Sequence, residues 1–137
     1  MVKNAEQIGG TSTAENDPRI TRLGNFLRKY KLDELPQLIN VIKGDMSLVG
    51  PRPEVYEYTC MYDEDERVIL TVSPGITDYA SIKFRNLNSI LAAATTDPDE
   101  YYRDVIRPQK NLLRIKYVKD KGFYTDIKIL IRTLGVI

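Results

Sequence analysis

Gly50-Pro51-Arg52-Pro53 is the segment that most restricts what this chain can fold into. Two prolines one residue apart remove two backbone donors and fix two φ angles. The segment therefore fits neither a helix interior nor a central strand, and it predicts a stiff loop that aims Arg52. Other breaks are almost as firm. Gly44 ends a helix, Ser73-Pro74-Gly75 reads as a turn, and Pro108 should kink or interrupt a helix. Asp97-Pro98-Asp99-Glu100 is a strong helix start, with a capping Asp, Pro at the first position and Glu three residues after the cap.

Between these breaks the apolar spacing is mostly helical. Asp17-Pro18 offers a cap and a rigid start, and Leu23, Phe26, Leu27 and Tyr30 predict a helix over about 20–30. A second helix begins at Leu32 or Asp33 with Pro36 in its first turn, and Leu35, Leu38, Ile39 and Ile42 form its stripe. Residues 54–66 carry a weakly helical acidic pattern. The β-branched run Val68-Ile69-Leu70-Thr71-Val72 predicts a strand, and the alternation Ala80, Ile82, Phe84 predicts another. Leu91-Ala92-Ala93-Ala94 is a short helical piece, a further segment runs to Gly122, and Ile127, Leu130, Ile131 and Leu134 mark one face of a last helix. The fold class is α+β: a helix-rich single domain over 1–137 with a small β-hairpin or sheet, and residues 1–18 as a loosely held polar lead-in.

The chain has no histidine, which excludes a Ser-His triad, a His-ligated metal and a His general base. Acid–base or nucleophilic work falls to carboxylates, Lys, Tyr or Ser. A single cysteine, Cys60, permits no intramolecular disulfide and fits a reducing compartment. A formal charge of +1 gives no case for nucleic acid. No apolar run reaches the roughly 18 residues of a membrane span, and the first residues do not open a signal peptide, so this chain alone is expected to be soluble or peripheral.

Asp33 and Glu34 are the candidate catalytic pair. In the simpler reading Asp33 caps a helix and Glu34 complements its dipole. In the sharper reading one carboxylate attacks phosphorus and the other holds a metal, because a helix N-terminus favours anions and carboxylates form acyl-phosphates. Two carboxylates beside a diphosphate need cations, which Arg28, Arg52 and Mg²⁺ could provide. Arg52 is otherwise an exposed loop residue, and Arg85 is equally ambiguous. In the C-terminal third, Lys110, Arg114, Lys116, Lys119 and Lys121 flank Leu112, Leu113, Tyr117 and Val118. This pattern predicts a core-packing helix with a solvated basic face, and with a lipid substrate it becomes an interfacial docking surface.

Taken together, Asp17-Pro18-Arg19-Ile20-Thr21-Arg22-Leu23-Gly24, Phe26-Leu27-Arg28-Lys29, Leu32-Asp33-Glu34-Leu35-Pro36-Gln37-Leu38 and the run from Gly44 to Pro53 resemble the bacterial sugar transferases, the monotopic phosphoglycosyl transferases. Pro74-Gly75-Ile76-Thr77 and Arg85 extend the match. The resemblance implies transfer of a sugar 1-phosphate from a nucleoside-diphosphate sugar, usually a UDP-sugar, to polyprenyl phosphate at the cytoplasmic face of the bacterial inner membrane. It implies that Asp33 is the nucleophile that forms a covalent phosphosugar and releases UMP, and that Glu34 supports Mg²⁺. It places Arg28, Arg52 and Arg85 at the substrate. Members of the family carry an N-terminal membrane helix and a basic segment, and this chain is expected to start after both. Asp78-Tyr79-Ala80-Ser81 also departs from the family's Gly-x-Ala-Gln, which leaves the sugar open. Two rivals stand beside this reading: a non-catalytic fragment that binds a nucleotide-sugar or a partner, and a Mg²⁺-dependent nucleotide-sugar hydrolase.

Overall fold

A computed structural model describes residues 20–29, 32 and 35–135. The expected lead-in over 1–18, Tyr30, Asp33 and Glu34 lie outside the described residues. Helix α1 runs over Arg22–Lys29, where the apolar spacing predicts a helix. Its start is capped by Thr21, whose Oγ1 accepts the Gly24 N–H at 3.1 Å. Helix α2 spans Leu35–Lys43, with Pro36 in its first turn. Gly44 ends it at φ +85°, a conformation that other residues rarely adopt.

Strand β1, Ser47–Val49, comes directly afterwards. It pairs in parallel with β2, Gly75–Thr77, in the register Ser47↔Gly75 and Val49↔Thr77. The small sheet is therefore not a hairpin, because a long crossover separates its strands. A Cβ on Gly50 would come within 2.7 Å of the Ser73 carbonyl oxygen, and one on Gly75 would fall on the backbone of Gly50. Backbone meets backbone here, which only glycine permits.

Both expected strands are wrong, and local hydrogen bonding explains each. Residues 68–71 belong to a 3₁₀ segment, Glu66–Thr71. It is started by a reciprocal pair: Asp63 Oδ1 accepts the Glu66 N–H at 2.7 Å, and Glu66 Oε2 accepts the Asp63 N–H at 3.3 Å. Residues 79–83 form α4, Tyr79–Lys83, whose N-cap Asp78 accepts the Ser81 N–H at 2.6 Å. The alternation Ala80, Ile82, Phe84 carries a helical spacing as well, and Ala80 and Phe84, four apart, are both buried. The turn expected at 73–75 gives way to β2 at Gly75. Of the acidic stretch 54–66 only α3, Tyr56–Thr59, is α-helical.

Helix α5 spans Leu87–Ala92 and α6 spans Pro98–Tyr101. As expected, Asp97 caps α6, accepting from the N–H groups of Asp99 and Glu100 at 3.0 and 3.1 Å. Pro108, expected to kink or interrupt its helix, stands in the first turn of a new α-helical stretch directly after a π turn. A π turn over Tyr102–Ile106 joins α6 to α7, Arg107–Asp120, and this wider turn accommodates the proline. Helix α8, Phe123–Leu134, comes last.

Among the described residues the interior has two apolar clusters. Phe84, Leu91, Tyr102 and Ile106 form one, and Val49, Tyr117 and Ile129 form the other. Helix α7 packs against the 3₁₀ segment, α4 and the π turn. It therefore occupies the centre of the fold, and what it buries is mainly polar: Asn111, Arg114 and Tyr117.

Candidate active site

The prolines deliver Arg52 and Glu54 to opposite fates. Pro51 is buried at the end of β1, Arg52 is half-buried, and Glu54 turns inward. Glu54 Oε1 pairs with Arg114 Nη1 at 2.8 Å, with side-chain exposures of 5% and 1%. Tyr102 donates to the same oxygen at 2.8 Å, and Tyr62 donates to Oε2 at 3.2 Å. Arg114 Nη1 also donates to Asn111 Oδ1 at 3.2 Å, and Asn111 Nδ2 donates to Glu66 Oε1 at 2.9 Å. The loop carrying Arg52 is thus bolted to α7 by a buried ion pair. Losing one partner of such a pair typically costs about 3–5 kcal/mol, since the other charge is left unpaired.

The second face of Arg114 is looser. Its Nε lies 3.8 Å from Asp78 Oδ2, too far for a hydrogen bond, and neither atom has another hydrogen-bond partner. Asp78 is fully buried, so its carboxylate serves both as the cap of α4 and as counter-charge to Arg114. Tyr117 closes the frame: its hydroxyl lies 3.1 Å from the Val49 carbonyl and 3.0 Å from Asp126 Oδ1, and a single proton is shared between those two acceptors.

The electrostatics derive from this packing. Burial works against the Glu54 carboxylate, but the Arg114 charge, the hydrogen bonds from Arg114 and Tyr102, and the Lys110 charge outweigh it and lower its pKa. Burial and the Glu54 charge push the Tyr62 phenol up to about 12 and Tyr102 higher still. Lys110 moves the other way. Burial first, then the charges of Arg114 and Arg52, bring it down to about 8 against the opposing pull of Glu54 and Asp78.

The expected site residues are distributed unevenly. Asp33 and Glu34 lie outside the described residues, and so does the side chain of Arg28, which belongs to α1. Arg52 is beside the cluster, close enough for its charge to act on Lys110. Arg85 stands exposed in the turn between α4 and α5 and takes no part in the ion pairs of the cluster. Among the described residues no group of three or more Asp, Glu or Cys side chains gathers to hold a metal. Glu54 is paired with Arg114, and Asp78 caps α4 and faces Arg114, so neither fits Mg²⁺.

Two corrections concern α7. Arg114 was expected on a solvated basic face and is instead the most deeply buried cation among the described residues, while Leu112 stands exposed. Lys110 is half-buried rather than superficial. Sequence reasoning missed Glu54, Tyr62, Asp78, Tyr102, Lys110 and Arg114 as a group. One signal was available: Lys110, Asn111, Arg114 and Tyr117 recur at helical spacing on a single face. A groove of about 820 Å³ between α4, α7 and α8 is a weaker candidate. Its Lys116 is already paired with Asp120 at 2.8 Å, and none of its polar side chains is buried.

The fold thus sets a proline-stiffened arginine beside a buried ion pair and a half-buried lysine. The chain matches the bacterial sugar transferase family over residues 1–137, and it belongs to that family. It is 40% identical over 123 residues to galactosyl transferase CpsE of Streptococcus agalactiae, covering 90% of this chain and 24% of that protein. It is 41% identical over 123 residues to undecaprenyl-phosphate galactose phosphotransferase of Salmonella typhimurium, covering 90% and 22%. It is 47% identical over 132 residues to exopolysaccharide production protein ExoY of Sinorhizobium fredii, covering 96% and 51%. The chain thus spans between about a fifth and about half the length of these relatives.

Proposed function

We propose that this chain is the catalytic portion of a phosphoglycosyl transferase that moves a sugar 1-phosphate from a UDP-sugar to polyprenyl phosphate and so starts a bacterial glycan. The observation that carries the reading is the family match along the whole chain, together with a relative named for undecaprenyl-phosphate galactose phosphotransfer. The structure adds physical support: Arg52 is presented by a loop fixed to α7 through the buried Glu54–Arg114 pair. A guanidinium held this way loses little entropy when it forks onto a diphosphate.

In this mechanism an Asp33 carboxylate oxygen attacks the phosphorus that bears the sugar. The bond to the UMP phosphate breaks, UMP leaves, and an acyl-phosphate sugar remains on the protein. An oxygen of polyprenyl phosphate then attacks the same phosphorus and frees Asp33. Arg52, with Arg28 and Arg85, neutralises the diphosphate. Mg²⁺, assigned to Glu34, would add Lewis-acid charge compensation when bound.

The acceptor lies in a bilayer, and the surface suits one. Among the described residues no helix is long and apolar enough to cross a membrane. However, α2 exposes Leu35, Ile39 and Ile42, and α8 exposes Phe123, Ile131 and Leu134. Lys116, Lys119, Lys121, Lys128 and Arg132 are exposed on α7 and α8 or just beyond α7. Apolar stripes beside surface cations fit an anionic membrane interface.

UMP release separates this reading from its rivals. With UDP-sugar alone, transfer through Asp33 predicts at most one UMP per chain and a covalent phosphosugar adduct by mass spectrometry, with turnover only when polyprenyl phosphate is added. Asp33→Asn should abolish both. Continuous release without lipid would make the chain a hydrolase, and a full burst in the Asn variant would remove Asp33 as the nucleophile.

A further inference from the structure

Lys110 is a half-buried ammonium whose surroundings do not complete it. Its Nζ donates to the Tyr102 hydroxyl at 3.1 Å and sits 5.1 Å over the centre of the same ring. Tyr102 gives its own proton to Glu54, so its oxygen can only accept from the lysine. No carboxylate among the described residues reaches Lys110 within ion-pair distance. Glu54 is held by Arg114 at 2.8 Å, and Asp78 faces the same arginine. The groups facing Lys110 are Arg52 and Glu54 from the loop, Asp78 from the cap of α4, Tyr102 from the π turn and Arg114 on α7 itself. Both carboxylates in this set are committed to Arg114, so the Lys110 charge has no anion of its own among the described residues. Two of its three ammonium protons likewise find no acceptor among them. Lys110 is also accessible enough for a ligand to reach.

We propose that Lys110, next to Arg52, binds a phosphoryl oxygen of the substrate, with the Tyr102 hydroxyl fixing the ammonium from behind. The proposal rests on the functional reading above, because it assigns the missing anion to a substrate phosphate. The phosphoryl group comes either from the diphosphate of the sugar donor or from the phosphate of the polyprenyl acceptor, and the two require the same chemistry of Lys110.

The assignment has a consequence that a purely structural lysine would lack. An ammonium that loses its proton near pH 8 in the free protein binds an anion well below that pH and poorly above it. Affinity should therefore fall about tenfold between pH 7 and pH 9, the change in the protonated fraction for such a group. Calorimetric binding of UDP-sugar, of a short-chain water-soluble prenyl phosphate and of inorganic pyrophosphate would test this on the wild type, Lys110→Arg and Lys110→Met. Arginine keeps its charge throughout, so Lys110→Arg should flatten the pH profile while binding within a few fold of wild type at pH 7. Lys110→Met should bind at least tenfold more weakly at pH 7 and show no break near pH 8. Near pH 8.5 the wild type should take up a fraction of a proton on binding, seen as a buffer-dependent enthalpy, and Lys110→Arg should take up none.

Lysine-dependent binding of the donor assigns Lys110 to the diphosphate, and lysine-dependent binding of the prenyl phosphate alone assigns it to the acceptor. Should pyrophosphate binding depend on Lys110 while UDP-sugar does not bind at all, the phosphate site stands and the donor reading fails. Should UDP-sugar and prenyl phosphate both bind to Lys110→Arg with the wild-type pH break, the proposal is overturned while the transferase reading stands. If Lys110→Met does not fold, the Arg profile and its proton count decide the matter alone.

Discussion

Helices α7 and α2 reverse the usual relation between polarity and depth. Helix α7 is rich in Lys, Arg, Asn and Gln, yet it runs through the centre and buries Asn111, Arg114 and Tyr117. Helix α2 carries a clean apolar stripe and buries none of its residues, with Ile42 left 85% exposed. Helix α8 sits between the two. Ile129 is fully buried, but Ile131 and Leu134 from its expected apolar face are largely exposed. Specificity in this fold thus comes from complementary polar groups around Arg114, while much of the apolar periodicity is presented outward. Exposed apolar faces of this extent usually mark an interaction surface.

The contrast can be broken most forcefully at Arg114. Arg114→Met should lower unfolding free energy by about 3–5 kcal/mol, because it leaves Glu54 and Asp78 buried without their cation. Combining it with Glu54→Gln should cost less than the sum of the two single changes, as measured by urea denaturation. Strict additivity would mean that the pair is not coupled and that the centre is held by something else.

A smaller effect should appear on acidification. The folded-state pKa of Glu54 lies below the ordinary carboxylate value of 4.5. Its stabilising contribution is therefore complete above that value and is lost as the pH falls through the lowered one. The stability gap between wild type and Glu54→Gln should be widest near neutrality and should narrow as the pH drops below 4.5. A gap that widens in acid would reverse the sign and refute the pairing.

The smallest effect belongs to α2. Ile42→Ser should change stability by no more than about 0.5 kcal/mol, as is usual for exposed positions. A loss of about 2 kcal/mol or more would show that the α2 stripe is buried against something in solution, and the comparison would need redrawing.

Legibility in the sequence tracked the range of the interactions. Caps and breakers act over three or four residues, so the start of α6 and the stop at Gly44 could be read directly, whereas α1 is capped by Thr21 rather than by the expected Asp17-Pro18. The stiff loop at 50–53 could be read for the same reason. The run 68–72 misled because β-branched residues signal a strand only when a neighbouring strand is there to receive them, and the Asp63–Glu66 pair had already committed the chain to a tight helical turn. At the candidate site Arg52 was visible from its prolines. The cluster behind it was not, since Glu54, Asp78 and Arg114 meet across wide gaps in sequence that only the fold closes. Asp33 and Glu34 stood out from their place at a helix start, and the family resemblance gave them and Arg28 their roles.

The π turn has a consequence for chain length. Tyr102 and Lys110 are eight residues apart, and in a regular α-helix that separation would leave them about 80° apart around the axis. A π turn takes up one extra residue, so the two count as about seven apart and line up to within about 20°. This alignment lets the ammonium reach the phenol at 3.1 Å. The turn acts as a phase correction. Deleting one of its residues would keep the two faces in step and put the strain on Pro108, whereas adding one would swing Tyr102 away from both Lys110 and Glu54. At this point in the chain, arithmetic constrains variation more tightly than chemistry does.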